Sequence, residues 1–192
     1  MSETEEKIFN GLNLKDIRLN GQKFIDCDFI DCRFENVSLY ESMFIDCRFV
    51  RCEILGLETQ KSEVRLLKLK QCAVLGVNLS LLQGASLFSY PIDSLTECTL
   101  KYCTFMDMDF GGFDFSGNEI INSSFAEVRL EKADFNGCKL RDTEFFKCNL
   151  EKADFRNATG YNVDVLSCVL KSAKFTYPEA ANLLYSLGIE LE

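Results

Sequence analysis

The chain has 192 residues and a formal net charge of −9, from 30 acidic and 21 basic residues, with no histidine at all. That length fits one domain, 1–192, able to bury most of its apolar surface without disulfides or metals. The acidic balance excludes a protein that grips nucleic acid phosphates, and the missing histidine removes the commonest proton shuttle and triad base.

The opening segment MSETEEKIFN lacks the apolar stretch of a secretory signal, and nowhere do eighteen apolar residues run together. The expectation is a cytoplasmic protein with no membrane partner. In a reducing compartment the ten cysteines do not make a disulfide framework, and free cysteine serves mostly as a small buried hydrophobe.

From Phe9 onward every fifth residue is large and apolar: Phe9, Leu14, Leu19, Phe24, Phe29, Phe34, Leu39, Phe44, Phe49 and Ile54. A period of five is neither the 3.6 of an amphipathic helix nor the 2 of a half-buried strand. Two residues before these positions stand Cys27, Cys32, Cys47, Cys52 and Cys72, and elsewhere Val37 or Ser42 fills the same slot. A small inward residue beside a large one fills a narrow interior without voids.

At 55–63 the row is broken by Thr59, then Val64, Leu69, Val74 and Leu79 resume it in frame. This stretch is either one polar side of the wall or a short excursion from it. At 80–94, SLLQGASLFSYPIDS, the frame shifts by one residue and the first of two prolines occurs. A projecting loop or a distorted coil is expected there, with Phe88 and Tyr90 as candidate partner-binding aromatics, since loops on rigid scaffolds often carry function.

A second row then runs Leu95, Leu100, Phe105, Phe110, Phe115, Ile120, Phe125, Leu130, Phe135, Leu140, Phe145, Leu150 and Phe155, completed by Val165, Leu170 and Phe175. Cys98, Cys103, Cys138, Cys148 and Cys168 again precede row positions by two. Units such as CDFID, CRFEN, ADFNG, CNLEK and ADFRN, over about 7–175, resemble the pentapeptide-repeat family.

That resemblance implies an all-β fold: a right-handed, quadrilateral parallel β-helix, each pentapeptide forming one side and four making a coil. The sequence supports it independently, because FIDC-x-F at 24 and 44 and EKADF at 131 and 151 repeat at a spacing of twenty. Stacked coils share one core, as in any solenoid.

After Phe175 the chain reads TYPEAANLLYSLGIELE. Thr176 with Glu179 fits a capping box, Ala180, Leu183, Leu184 and Leu187 make an apolar face, and Gly188 suits a helix stop. A short C-terminal α-helix over about 177–188 is expected to cover the open solenoid end. In the family's quinolone-resistance and microcin-immunity branches a similar segment supports a homodimer, which assigns Leu183, Leu184 and Leu187 to dimerisation.

The C-x4-C spacing does not match structural zinc, so no metal and no cofactor is expected. No carboxylate pair is marked as acid and base, so an enzyme is not expected. Asp114, Asp134 and Asp154, twenty apart, would stack on one side as a ladder of charge, a coarse imitation of DNA; Asp26 with Asp46 and Asp107 with Glu127 would do the same. Against this stands the capacity of such aspartates to accept turn amides. The resemblance implies binding to a type II topoisomerase, DNA gyrase; the other reading is a scaffold for an unknown protein partner.

Overall fold

The computed structural model describes residues 2–82 and 91–189. The chain divides into two units, Met1–Cys103 and Thr104–Glu192, each a stack of parallel coils.

In the first unit every pairing is parallel and most run at an offset of twenty. The strands Ser2–Glu5, Gln22–Ile25, Met43–Ile45 and Glu63–Arg65 lie side by side in that order. Phe24 pairs with Phe44, which pairs with Val64; Phe9, Phe29, Phe49 and Leu69 form the next column. Side chains twenty apart therefore lie over one another, and Phe24 and Phe44 stack with ring centroids 4.9 Å apart, Phe29 and Phe49 at 4.7 Å. These distances are the inter-strand spacing of a sheet.

Each side ends in a corner where a residue two after the row position takes a left-handed backbone, as at Asp26 (φ 49), Asp31 (φ 52) and Asp46 (φ 53). Aspartate and asparagine tolerate this conformation, and it turns the chain without breaking the ladder.

The cysteine slot has a second role that the spacing alone does not reveal. Cys52 Sγ lies 3.2 Å from the carbonyl of Phe29 and 3.5 Å from that of Val50, donating at the corner both to the preceding coil and to its own. Cys27, Cys32, Cys47 and Cys72 repeat the arrangement, and Ser42 donates equivalently to Leu19 and Tyr40. A small donor in the slot thus adds a hydrogen bond that a plain small hydrophobe, such as Val37, does not. Burial pushes the Cys47 thiol up to about 12 and the Cys103 thiol up to about 11, the condition of inert structural thiols.

Residues 55–63 stay in the wall. The strand Glu53–Gln60 pairs along its length with Arg33–Tyr40, placing Thr59 over Leu39. Gly56 (φ 66) turns the corner within that strand. The polar row residue is accommodated by being only half-buried and by donating from Oγ1 to the carbonyl of Leu81.

The interruption at 80–94 changes the offset to twenty-six: Leu69 pairs with Leu95 and Val74 with Leu100. Six added residues are one repeat plus one, which accounts for the frame shift. Leu79–Leu82 forms a turn of 3₁₀-helix with Leu79 and Leu82 buried. At the far side the register slips so that Leu67 faces Ile92 and Lys68 faces Ser94, bulging Asp93 outward. Phe88 and Tyr90 lie outside the described residues.

In the second unit Phe105, Phe125 and Phe145 form one column, with centroids 4.2 and 4.8 Å apart, and Phe115, Phe135 and Phe155 another, at 4.7 Å each. Adjacent columns meet edge to face, as Phe125 and Phe135 do at 89°, the arrangement favoured by ring quadrupoles. All six rings are at most 1% exposed. Many corners here are hydrogen-bonded turns, such as Ala133 N–H to the Leu130 carbonyl with Lys132 at φ 62, the type II pattern.

The row does not continue through Val165. Val163 takes the place over Phe145 and Tyr161 the place over Thr143, because the register shortens by two after Lys139. Val163 is 2% exposed and Val165 only half-buried. The slip occurs at Gly160 (φ 76), whose backbone approaches Arg141 too closely for any side chain.

The terminal helix is present as Glu179–Leu187, wound as 3₁₀ rather than α, with Gly188 (φ 72) as its left-handed stop. Pro178, after a cis peptide bond, occupies the N-cap without a side-chain hydrogen bond. The capping box is not formed, because its two side chains are used elsewhere. Thr176 Oγ1 accepts from the Asn157 amide at 3.2 Å and Glu179 Oε1 from the Gly160 amide at 2.6 Å, while Ser186 Oγ accepts from Val165 at 3.4 Å. These amides belong to the preceding coil. The helix therefore satisfies edge donors that an open solenoid end would leave orphaned.

Candidate protein-binding surface

The twenty-residue register decides which charges meet. Asp114 bridges to Asp134, and Asp134 to Asp154, so the three expected ladder residues do stack on one side of the second unit. That unit carries 15 acidic against 9 basic residues, and so holds most of the chain's net negative charge.

The three carboxylates differ in state. Asp114 is exposed and Asp134 half-buried, and among the described residues neither has a cation at ion-pairing distance. Each accepts an amide two residues on: Ser116 N–H to Asp114 Oδ1 at 2.8 Å, Asn136 N–H to Asp134 Oδ1 at 2.8 Å. Asp154 accepts the Arg156 amide too, but its carboxylate is also gripped by the Arg156 guanidinium at 2.7 Å and approached by Lys174 Nζ at 3.5 Å. The turn-amide role and the ladder thus coexist at Asp114 and Asp134, while Asp154 is neutralised.

The Arg156 guanidinium holds the Asp154 carboxyl down to about 2. A depressed pKa gives stability that is complete above the unfolded value near 4 and is lost as pH falls through it toward 2. Urea unfolding of the wild-type chain and of Asp154→Asn between pH 5 and pH 2 should therefore show a gap in midpoint at pH 5 that closes toward pH 2. On the order of 1 kcal/mol is expected after solvent screening; a gap independent of pH would contradict the assignment.

The same register turns many other carboxylates into cross-coil pairs. Glu3 with Lys23, Asp31 with Arg51, Asp109 with Arg129 and Glu127 with Lys147 meet at 2.7, 2.7, 2.9 and 3.3 Å, each twenty residues apart. Arg33 bridges to Glu53 in the same way. The expected stacks of Asp26 with Asp46 and Asp107 with Glu127 place these residues at left-handed corners, and Asp46 and Glu127 are paired with Lys68 and Lys147. Exposed pairs contribute little to stability, but they flatten the field. Asp114 and Asp134 are among the carboxylates that this pairing leaves without a cation at ion-pairing distance.

Of the residues assigned to dimerisation, Leu183 is half-buried, whereas Leu184 and Leu187 are 37% and 46% exposed. They are joined at this end by Tyr185, Ile189 and Tyr177, all exposed, which the sequence reading did not single out. Among the described residues no cluster of three or more His, Cys, Asp or Glu side chains could hold a metal ion, and no helix is long and apolar enough to cross a membrane.

The profile of the Pentapeptide repeats family matches residues 9–52 and 123–159, in 8 copies. Over those residues the repeat is the pentapeptide repeat. No curated protein matches the sequence. Among solved structures the pentapeptide-repeat coils are similar to trypsin-treated QnrB1, described as a plasmid-mediated fluoroquinolone resistance protein, at 17% identity over 100% of this chain and 98% of that one, with a TM-score of 0.45. HetL, a pentapeptide repeat protein involved in heterocyst differentiation regulation from the cyanobacterium Nostoc sp. strain PCC 7120, is similar at 13% identity over 88% and 87% of the two chains, TM-score 0.26. The pentapeptide repeat supplies a rigid wall and leaves its outward residues to set what is bound.

Proposed function

We propose that this pentapeptide-repeat chain is a non-catalytic, cytoplasmic binding protein whose acidic wall docks on the basic DNA-handling surface of a type II topoisomerase, DNA gyrase, and protects it from quinolone-like inhibitors or toxins. The observation that carries this reading is the stack of Asp114 on Asp134, neither with a cation at ion-pairing distance among the described residues, in the more acidic unit. Carboxylates at coil spacing, about 4.8 Å, coarsely approximate one DNA strand, which carries a charge per about 3.4 Å of helix axis. Complementary charge of this kind raises the association rate and makes it salt-dependent. The reading rests on the charge ladder; the likeness to QnrB1 describes the fold.

The test is gyrase supercoiling with a fluoroquinolone over a salt series. The wild-type chain is expected to restore supercoiling, less so as salt rises from about 50 to about 200 mM, and Asp114→Lys with Asp134→Lys is expected to abolish the effect. No protection by the wild-type chain at any concentration would favour the second reading, a scaffold for another protein. That reading draws on the cross-coil ion pairs, which leave most of the wall electrically mixed.

Either activity fits a homodimer formed through the exposed side of the terminal helix. Leu184→Glu with Leu187→Glu is expected to convert a dimer to a monomer in light scattering, with the circular dichroism of the coils unchanged. A wild-type chain that is already monomeric would overturn the dimer.

A further inference from the structure

We propose that the interior of the first unit is a binding site for a small apolar molecule of about the size of a xenon atom. Where the phenylalanine columns of this unit end, the core is underfilled. Phe44 is followed by Val64, Phe49 by Leu69 and Ile54 by Val74, and the row position at Thr59 holds a short polar side chain. A cavity of about 50 Å³ results, lined among others by Phe44, Phe49, Val64, Leu69, Val74 and Ile92, with no polar group in its wall.

The contrast with the other core is direct. Phe105, Phe115, Phe125 and Phe135 are wholly buried, whereas Phe34, Phe44 and Leu69, equally inward-facing, each keep 5% of their surface accessible, and all three line the cavity.

Chemistry and size select the ligand. A water held inside a protein needs two to four polar partners, and this wall offers none, so water there is poorly held. An apolar molecule gives up nothing on entry and gains dispersion contacts with a lining that lacks partner atoms. A cavity of about 150 Å³ admits benzene; one a third of that size admits a single atom or a one- to two-carbon molecule. Much of the wall is preformed, because Phe44, Phe49, Val64, Leu69 and Val74 are held in register by the ladders.

The experiment uses the full chain and xenon itself. Methyl spectra under increasing xenon pressure should show saturable shifts at Val64, Leu69 and Val74, and thermal unfolding should move up by about 2–4 °C. Val74→Leu, which fills the space, should remove both effects. Leu69→Ala, which enlarges it toward the size that admits benzene, should gain a rise in Tm with benzene that the wild-type chain lacks. Should Val74→Leu fail to fold, the benzene arm decides: benzene without effect on Leu69→Ala overturns the site. Xenon shifts confined to the exposed Leu66, Leu75 and Leu81, or persisting unchanged in Val74→Leu, would overturn it equally.

Discussion

Replacing Phe135 by alanine is expected to destabilise the second unit by about 3–5 kcal/mol, the range for deleting a large aromatic from a core that cannot collapse. Its ring is 0% exposed and sits between Phe115 and Phe155, stacked at 4.7 Å on each, with Phe125 and Phe145 edge-on at 6.0 and 5.5 Å. Four neighbours lose a packing surface at once, and the ladders above and below hold the coils too rigidly to close the gap. Denaturant unfolding followed by circular dichroism would read the loss, which corresponds to a fall in Tm of about 10 °C. A loss below about 1 kcal/mol would mean that the ring is not stacked between coils.

The second large effect is expected at Gly160. Its φ of 76 is left-handed, and a Cβ there would lie 2.7 Å from Arg141 Cα and 3.0 Å from Arg141 N, both backbone atoms that cannot rotate away. Gly160→Ala therefore adds a clash between adjacent coils to a left-handed cost of about 1–2 kcal/mol. It also disturbs the amide that Glu179 Oε1 caps at 2.6 Å, loosening the terminal helix. Gly137→Ala separates the two contributions, since Gly137 has φ 68 but nothing within 4 Å of its added Cβ. Gly137→Ala should cost about 1 kcal/mol and Gly160→Ala about 3 kcal/mol or more, compared by urea midpoint. Equal costs would show that conformation alone matters at both sites.

The fold was legible because a solenoid writes its geometry into the chain as a period. Phe24 and Phe44 are twenty apart in sequence and stacked in space, and the shifted frame after residue 94 reappears as the twenty-six-residue offset between Leu69 and Leu95. Periodicity was mute where a local backbone event overrode it. The slip at Gly160 depends on a close approach to Arg141 that no count of five detects, so Val163 and not Val165 continues the row. Thr176 and Glu179 carry the spacing of a capping box, yet their side chains meet the amides of Asn157 and Gly160, because an exposed coil end offers orphan donors nearer than those of a short 3₁₀-helix.

The candidate surface was legible in part. The spacing of Asp114, Asp134 and Asp154 gave their stacking. The neutralisation of Asp154 by Arg156, only two residues on, and of many other carboxylates by cations twenty residues away followed from rotamers and register together. The hydrogen bonds that cysteine thiols donate at the corners left no mark in the sequence beyond a preference for small residues, since valine and alanine also fill that slot.

The most direct test of the account is a nuclear Overhauser spectrum of the backbone of the whole chain. Parallel coils predict contacts between residues twenty apart, such as Phe9 with Phe29 and Phe125 with Phe145, and between residues twenty-six apart across the interruption, at Leu69 with Leu95 and Val74 with Leu100. Cross-strand contacts in the antiparallel pattern of hairpins, with no signal at those separations, would contradict it.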